Sequence, residues 1–266
     1  MLELKNITKT FGSFKALDDL SMTVPKGAVY GLVGPNGAGK STAIRHMTGV
    51  YIPDSGTVTM EGQPVFENPD AKERIGFIPD DIFFFPSATL EDMRAYYRGI
   101  YPKFDDALFE RLYEIFPLPK KSPIRRFSKG MQKQAAFQLS ICTRPELLIL
   151  DEPVDGLDPV MRRQVWSLIL SDVAQRETTV VISSHNLREL EDICDHVGIM
   201  DHGKNAFGEE PCGYAGQYGE ASNRGRRSGG AGSTPQIRIR STENPGGSGQ
   251  CPRGCRPGAK EAACLF

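Results

Sequence analysis

The strongest chemical signal in the chain is Gly34-Pro35-Asn36-Gly37-Ala38-Gly39-Lys40-Ser41, with Thr42 following it. It fits the pattern G-x-x-x-x-G-K-[ST] and lies between a predicted strand and a predicted helix, the context in which such a loop cradles phosphate. Gly34, Gly37 and Gly39 let the backbone turn so that its N–H groups converge on phosphate oxygens. The helix that begins near Lys40 adds the positive end of its dipole. Lys40 supplies a point charge for β- and γ-phosphates, and the Ser41 hydroxyl is of the type that ligates Mg²⁺. A Gly-rich loop matching by chance would not have strand and helix in register around it.

A second constellation is acidic. Asp151 and Glu152 directly follow the aliphatic run Leu147-Leu-Ile-Leu150. Both therefore sit at the carboxyl end of a strand, where open α/β sheets bind ligands. Asp151 is expected to hold Mg²⁺. Glu152, its neighbour being committed to the metal, is the candidate to polarise an attacking water. Taken alone, an Asp-Glu pair also reads as a polar strand end; a phosphate loop in the same chain favours the chemical reading.

These residues need elements to hold them. Strands are predicted at Leu2–Thr8, Ala28–Val33, Val58–Met60, Ile75–Ile78, Leu147–Leu150, Thr179–Ile182 and Val197–Met200. Helices are predicted at Ser41–Thr48, Leu90–Tyr101, Leu108–Phe116, Gln132–Cys142, Pro159–Ala174 and Asn186–Cys194. Apolar runs alternating with helices imply an α/β fold with a mostly parallel sheet covered on both faces. The helix-rich stretch from about 88 to 145 interrupts that alternation and reads as an inserted helical subdomain.

The chain has 266 residues, 39% hydrophobic and 24% charged, with a net charge of -1. That size supports one good core, and that charge gives no bulk attraction to nucleic acid or anionic lipid. No run approaches a membrane span of roughly 20 apolar residues. The N-terminal residues alternate apolar and polar and carry no signal-peptide stretch. Only Cys142 and Cys194 of the six cysteines fall in the first 204 residues, which suits a reducing cytoplasm rather than a disulfide framework.

Composition breaks near residue 205. Among the 62 residues from Asn205 to Phe266 there are 13 Gly, 5 Pro and 5 Ser, and the only Leu is Leu265. A segment so poor in large aliphatics cannot offset its backbone entropy by burial, so 205–266 is expected to be a disordered Gly/Pro/Arg-rich tail. Cys251, Cys255 and Cys264 lack a fourth ligand at a usable spacing for zinc. The abruptness of the change suggests out-of-frame translation; a natural flexible tail is the alternative. Reading the gene in its other frames distinguishes them.

Taken in order, the motifs of residues 1–204 resemble the ATP-binding subunit of ABC transporters. Phe127-Ser-Lys-Gly-Met131 is similar to that family's LSGGQ signature. Leu147-Leu-Ile-Leu-Asp-Glu-Pro153 ends as its Asp-Glu-Pro strand does, and Val154-Asp-Gly-Leu-Asp158 and Ser184-His185 stand where its D-loop and switch histidine stand. The resemblance implies a P-loop NTPase fold with a small antiparallel β part. It implies ATP with Mg²⁺, a second ATPase subunit (the same chain or a different one), and a separate membrane permease. Ser128 and Gly130 of one subunit would face the γ-phosphate held by the Lys40 loop of the other, and Asp158 would reach across. His185 would sense the γ-phosphate, and Phe11, or else Phe14, would stack on adenine. The subunit would lie peripherally on the cytoplasmic face of the membrane, and the short cassette with its divergent signature looks most similar to exporter-type members.

Departures from the pattern are also legible. Asp80 stands where the family usually has a Gln that touches Mg²⁺ and links the site to the membrane partner. Asp80 keeps a metal-ligating oxygen but adds negative charge beside the triphosphate. Lys129 and Met131 replace Gly and Gln of the signature, and Lys129 is the cation expected to offset Asp80. Gln134 stands where Arg is common. Two other functions compete: a soluble ABC-type ATPase acting on nucleic acid or the ribosome, and a regulatory subunit that binds ATP with weak hydrolysis. A single phosphate loop, no long heptad insertion and a -4 charge over the first 204 residues oppose the first. Retention of Glu152 and His185 opposes the second. The Phe83-Phe-Phe85 run reads equally as a surface for a docking partner or as packing.

Overall fold

The computed structural model describes residues 1–211. Five strands build the central parallel sheet: β3 (Val29–Val33), β6 (Ile75–Ile78), β7 (Leu147–Asp151), β8 (Thr179–Ser184) and β9 (His196–Asp201). β10 (Lys204–Pro211) adds an antiparallel edge, giving the order β10-β9-β3-β8-β7-β6. A second, antiparallel sheet is ordered β2-β1-β4-β5, from β1 (Leu2–Phe11), β2 (Phe14–Val24), β4 (Ser55–Met60) and β5 (Gln63–Pro64).

The side-chain period of two explains why the central strands are aliphatic throughout. Val29 and Val33 of β3, Leu148 and Leu150 of β7, and Val180 and Ile182 of β8 point into one core. Tyr30 and Leu32, Leu147 and Ile149, and Val181 point into the other. Every residue of these three strands is buried, as expected for a sheet covered on both faces. The first core is closed by α3 (Leu90–Ile100), α4 (Asp106–Ile115), α5 (Lys129–Cys142) and α6 (Pro159–Arg176). The second is closed by α1 (Lys40–Met47) and the antiparallel sheet, so helices cover one face and a mixed layer the other.

The helical stretch is anchored rather than appended. α3 opens with a capping box at Thr89 and Asp92, and Asp105 caps α4 by accepting from the Leu108 N–H. Asp105 also pairs with Arg144, and its N–H donates to the Cys142 carbonyl at 2.7 Å, which binds the start of α4 to the end of α5. Burial pushes the Cys142 thiol far above the ordinary range, so this cysteine is a packing residue.

Three expectations are corrected. β2 is an eleven-residue strand absent from the sequence reading, although Leu20, Met22 and Val24 alternate with polar residues as a half-buried strand should. Asn186–Cys194 is not a helix: only the 3-10 turn Leu187–Glu189 forms. Leu190 and Cys194 must both press onto Gly31 of β3, where a Cβ would lie 3.0 Å from each, and the Asp195 N–H donates to the Val29 carbonyl while its carboxylate accepts from the Val29 N–H. That packing is bought with irregular backbone. Finally, β10 continues to pair with β9 as far as Pro211, past the break at 205, with register shifts after Asn205 and after Phe207. The remainder of the expected tail, including Cys251, Cys255 and Cys264, lies outside the described residues.

Candidate functional site

Sheet order assembles the site. β3 lies beside β8, and β8 beside β7, with Val33 opposite Ser184 and Asp151 opposite Ser183. The carboxyl ends of three adjacent strands therefore deliver the phosphate loop, Asp151-Glu152 and His185 to one edge.

The loop itself is held tightly from behind. A Cβ on Gly34 would meet the Met200 carbonyl oxygen at 2.4 Å, and Gly39, at φ +102°, presses against the Ala16 carbonyl of β2. Only glycine fits either place. Gly34→Ala is accordingly expected to destabilise the fold by about 1–3 kcal/mol through overpacking; a urea denaturation midpoint unchanged from the parent refutes this. No side chain caps α1, whose first residue is Lys40, so Ser41 and Thr42 in its first turn carry N–H groups without a side-chain acceptor. Pro35, Asn36 and Gly37 form the exposed tip, and Ala38 is buried beneath it.

Lys40 is buried, with its ammonium on the carbonyls of Gly34 at 2.7 Å and Pro35 at 3.4 Å. Its remaining partner is the Glu152 carboxylate, 3.5 Å away. The other oxygen of that carboxylate is 3.0 Å from Nδ1 of His185. Lys40, Glu152 and His185 thus form a continuous polar chain drawn from three strand ends. Glu152 adopts φ +46°, the left-handed region that a non-glycine residue enters only when its surroundings over-determine it. Its N–H donates to Ser183 Oγ, which donates in turn to the buried Asp151 carboxylate at 2.5 Å. Strand alternation sends Asp151 and Glu152 in different directions from consecutive positions.

Other expected residues stand apart from this chain. Ser128 caps α5, accepting from the Met131 N–H at 3.3 Å, and is exposed; Gly130 follows in the first turn. Asp158 caps α6, accepting from the N–H groups of Val160 and Met161. Among the described residues neither Ser128, Gly130 nor Asp158 bonds to Lys40, Glu152 or His185. Phe11 is 43% exposed at the β1–β2 turn, set edge-to-face on Tyr51, with Phe14 opposite it and more exposed still. Neither is a core residue. Asp80 lies 3.5 Å from Lys133, a residue the sequence reading passed over. The offsetting cation is therefore Lys133 and not Lys129, and the Asp80 charge is shared with it rather than turned wholly to a metal.

A model of the family described as ABC transporter matches residues 17–155, more than half of the chain. The chain belongs to the ABC transporter family. ABC relatives include the ABC transporter ATP-binding protein YtrB of Bacillus subtilis (strain 168), 35% identical over 201 residues. That match covers 76% of this chain and 69% of the relative. The bacitracin transport ATP-binding protein BcrA of Bacillus licheniformis is 38% identical over 210 residues, covering 77% and 68%. Among solved structures, an ATP-binding subunit of an ABC transporter superposes with a TM-score of 0.73 at 27% identity, covering 79% of this chain and 90% of that one. The dimeric ABC transporter cassette MJ0796 superposes with a TM-score of 0.72 at 20% identity, a likeness of fold.

This ABC ATPase binds and hydrolyses ATP and powers transport across a membrane through a separate permease. ATP-binding subunits of ABC transporters are membrane-associated. No helix among the described residues is long and apolar enough to cross a membrane.

Proposed function

We propose that two copies of this cassette close head to tail on two MgATP molecules, and that the complex drives export through its permease from the cytoplasmic face. The observation that carries the reading is the chain of contacts Lys40–Glu152–His185 at the adjoining ends of β3, β7 and β8. A buried ammonium beside an uncapped helix start fits a triphosphate, and a buried carboxylate at Asp151 close to a strand end fits a hard divalent cation.

Lys40 and the first-turn N–H groups of α1 would hold the β- and γ-phosphates. Mg²⁺, when bound, neutralises charge on those phosphates, and Ser41 and Asp151 are the residues that would hold it, with Asp80 contributing what Lys133 leaves of its charge. Glu152 accepts a proton from the attacking water, and His185 donates to its second oxygen through Nδ1, fixing the carboxylate's rotation. Phe11 offers adenine an exposed face; Phe14 is the nearest substitute.

One chain supplies contacts to only one side of the triphosphate. Ser128 and Gly130 at the exposed start of α5 present a second helix N-terminus, suited to the γ-phosphate held by the partner. Asp158 at the start of α6 lies on the face that the partner would meet. For the permease, Phe83, 76% exposed, packs edge-to-face with Phe85, and Phe85 with Tyr96, beside the loop that carries Asp80. An exposed aromatic cluster of this kind suits a protein partner. The relatives named for export and for bacitracin transport support the exporter reading.

Sedimentation tests the two-copy arrangement. In a Glu152→Gln background, ATP should convert monomer to dimer. Adding Ser128→Arg should abolish that conversion while each chain still binds ATP, because arginine replaces a small anion-facing hydroxyl at the partner's site. A double variant that dimerises as readily as Glu152→Gln alone removes Ser128 from the interface.

A further inference from the structure

Lys133 lies on α5, five residues beyond Ser128, and is only 6% exposed. A lysine ammonium has three protons to donate, and a buried one must place all of them. Here it donates to two carbonyls of the turn that follows β7, Glu152 at 2.8 Å and Asp155 at 2.9 Å, and pairs as an ion with the Asp80 carboxylate at 3.5 Å. Only Asp80 is charged, so it is the counter-ion that lets this cation stay buried.

The contact with Glu152 falls on a strained peptide. Glu152 sits at φ +46°, with its N–H tied to Ser183 and its carbonyl accepting from Lys133 at 2.8 Å and, more weakly, from the Asp155 N–H at 3.3 Å. Loss of the Ser183 or the Lys133 tie would loosen this peptide and let the carboxylate shift relative to Lys40 and His185. Ser183 restrains the peptide from β8, within the sheet. Lys133 restrains it from α5, the helix whose first turn carries the signature.

We propose that Lys133, neutralised by Asp80, is a positioning residue for hydrolysis: it holds the Glu152 peptide in its left-handed conformation and so couples the carboxylate to the signature helix. The inference rests on the reading of Glu152 as proton acceptor. Asp80 and Lys133 then act as a unit, which explains how this chain carries an aspartate beside a triphosphate site without an uncompensated charge.

The test uses the full chain and separates chemistry from binding. Lys133→Met should lower kcat on the order of 10- to 100-fold, since a small misplacement of a reacting group costs that much. Affinity for a fluorescent ATP analogue should stay within about threefold. On a Glu152→Gln background the same change should alter single-turnover hydrolysis less than twofold, because Lys133 acts through the group already removed. Asp80→Gln, which leaves an acceptor but no charge, should produce a smaller loss of kcat with the same split. If Lys133→Met is insoluble, Lys133→Leu, which likewise removes every donor, carries the same expectations. A kcat within twofold of the parent, an equal loss of ATP affinity, or a full further loss on the Glu152→Gln background each overturns the proposal. Glu152→Gln hydrolysing at the parental rate would instead defeat the role of Glu152, and this inference with it.

Discussion

Lys40→Ala should abolish nucleotide binding at micromolar ATP. The parental lysine spends two bonds on the carbonyls of Gly34 and Pro35 and turns its charge toward Glu152 and the loop mouth. Removing it loses charge-assisted bonds to phosphate of about 1.5–3 kcal/mol each. It also leaves the Glu152 carboxylate facing the triphosphate without a counter-charge, so repulsion adds to the loss. Together these predict a fall in ATP affinity of roughly 100-fold or more, taking 1.4 kcal/mol per factor of ten. Equilibrium binding of a fluorescent ATP analogue measures it. The loop is held from behind by Met200, Ala16 and Gly203, so the variant should keep its fold, and a parental melting temperature serves as the control. Intact affinity in a folded Lys40→Ala protein would remove the ground for placing ATP in this loop.

Glu152→Gln should separate binding from hydrolysis. Glutamine is nearly isosteric and can still bond to His185, but it cannot take a proton from water. General-base loss predicts a fall in kcat of about 10²- to 10⁴-fold. ATP affinity should hold or rise, because one negative charge facing the phosphates is gone. Steady-state phosphate release, read beside equilibrium binding, gives both numbers. A variant hydrolysing within twofold of the parent would mean that another group activates the water, and the geometry around Lys40 and His185 would then need a different explanation.

Both expectations depend on residues that were visible before any coordinates, yet not on an arrangement that was. The phosphate loop was legible because its constraints are local: glycine where a Cβ cannot fit, lysine and serine opening a helix, an aliphatic strand before them. The strands β3, β7 and β8 were legible for the same reason, since burial on both faces makes every position apolar. β2 was missed although its alternation was present, because Asp18 and Asp19 interrupt the apolar positions. The helix expected over Asn186–Cys194 failed because packing onto Gly31 outweighed helical spacing.

The acidic site shows the same division. That Asp151 and Glu152 end a strand followed from four aliphatic residues before them. That they face opposite sides follows from strand alternation, but the left-handed turn at Glu152 does not, because it has no signature of its own and is held by Ser183 on one side and by Lys133 and the Asp155 N–H on the other. Asp80 stood out by departing from a pattern, and the cation that answers it was misassigned to Lys129, one residue past the exposed cap of α5. Lys133 is one helical turn further along the same face, past the exposed end of α5, where the helix enters the core.

What the order of residues determined by itself was chemistry and local form: which loop can hold phosphate, which strands are buried, which carboxylates close one of them. Only the tertiary structure decided how Lys40, Glu152 and His185 share one chain of contacts, and that Asp80, Lys133 and Glu152 form one unit. Propensity and periodicity act over a few residues, whereas these contacts join strands and helices distant in sequence, and are set by sheet order and by the need of each buried charge for a partner.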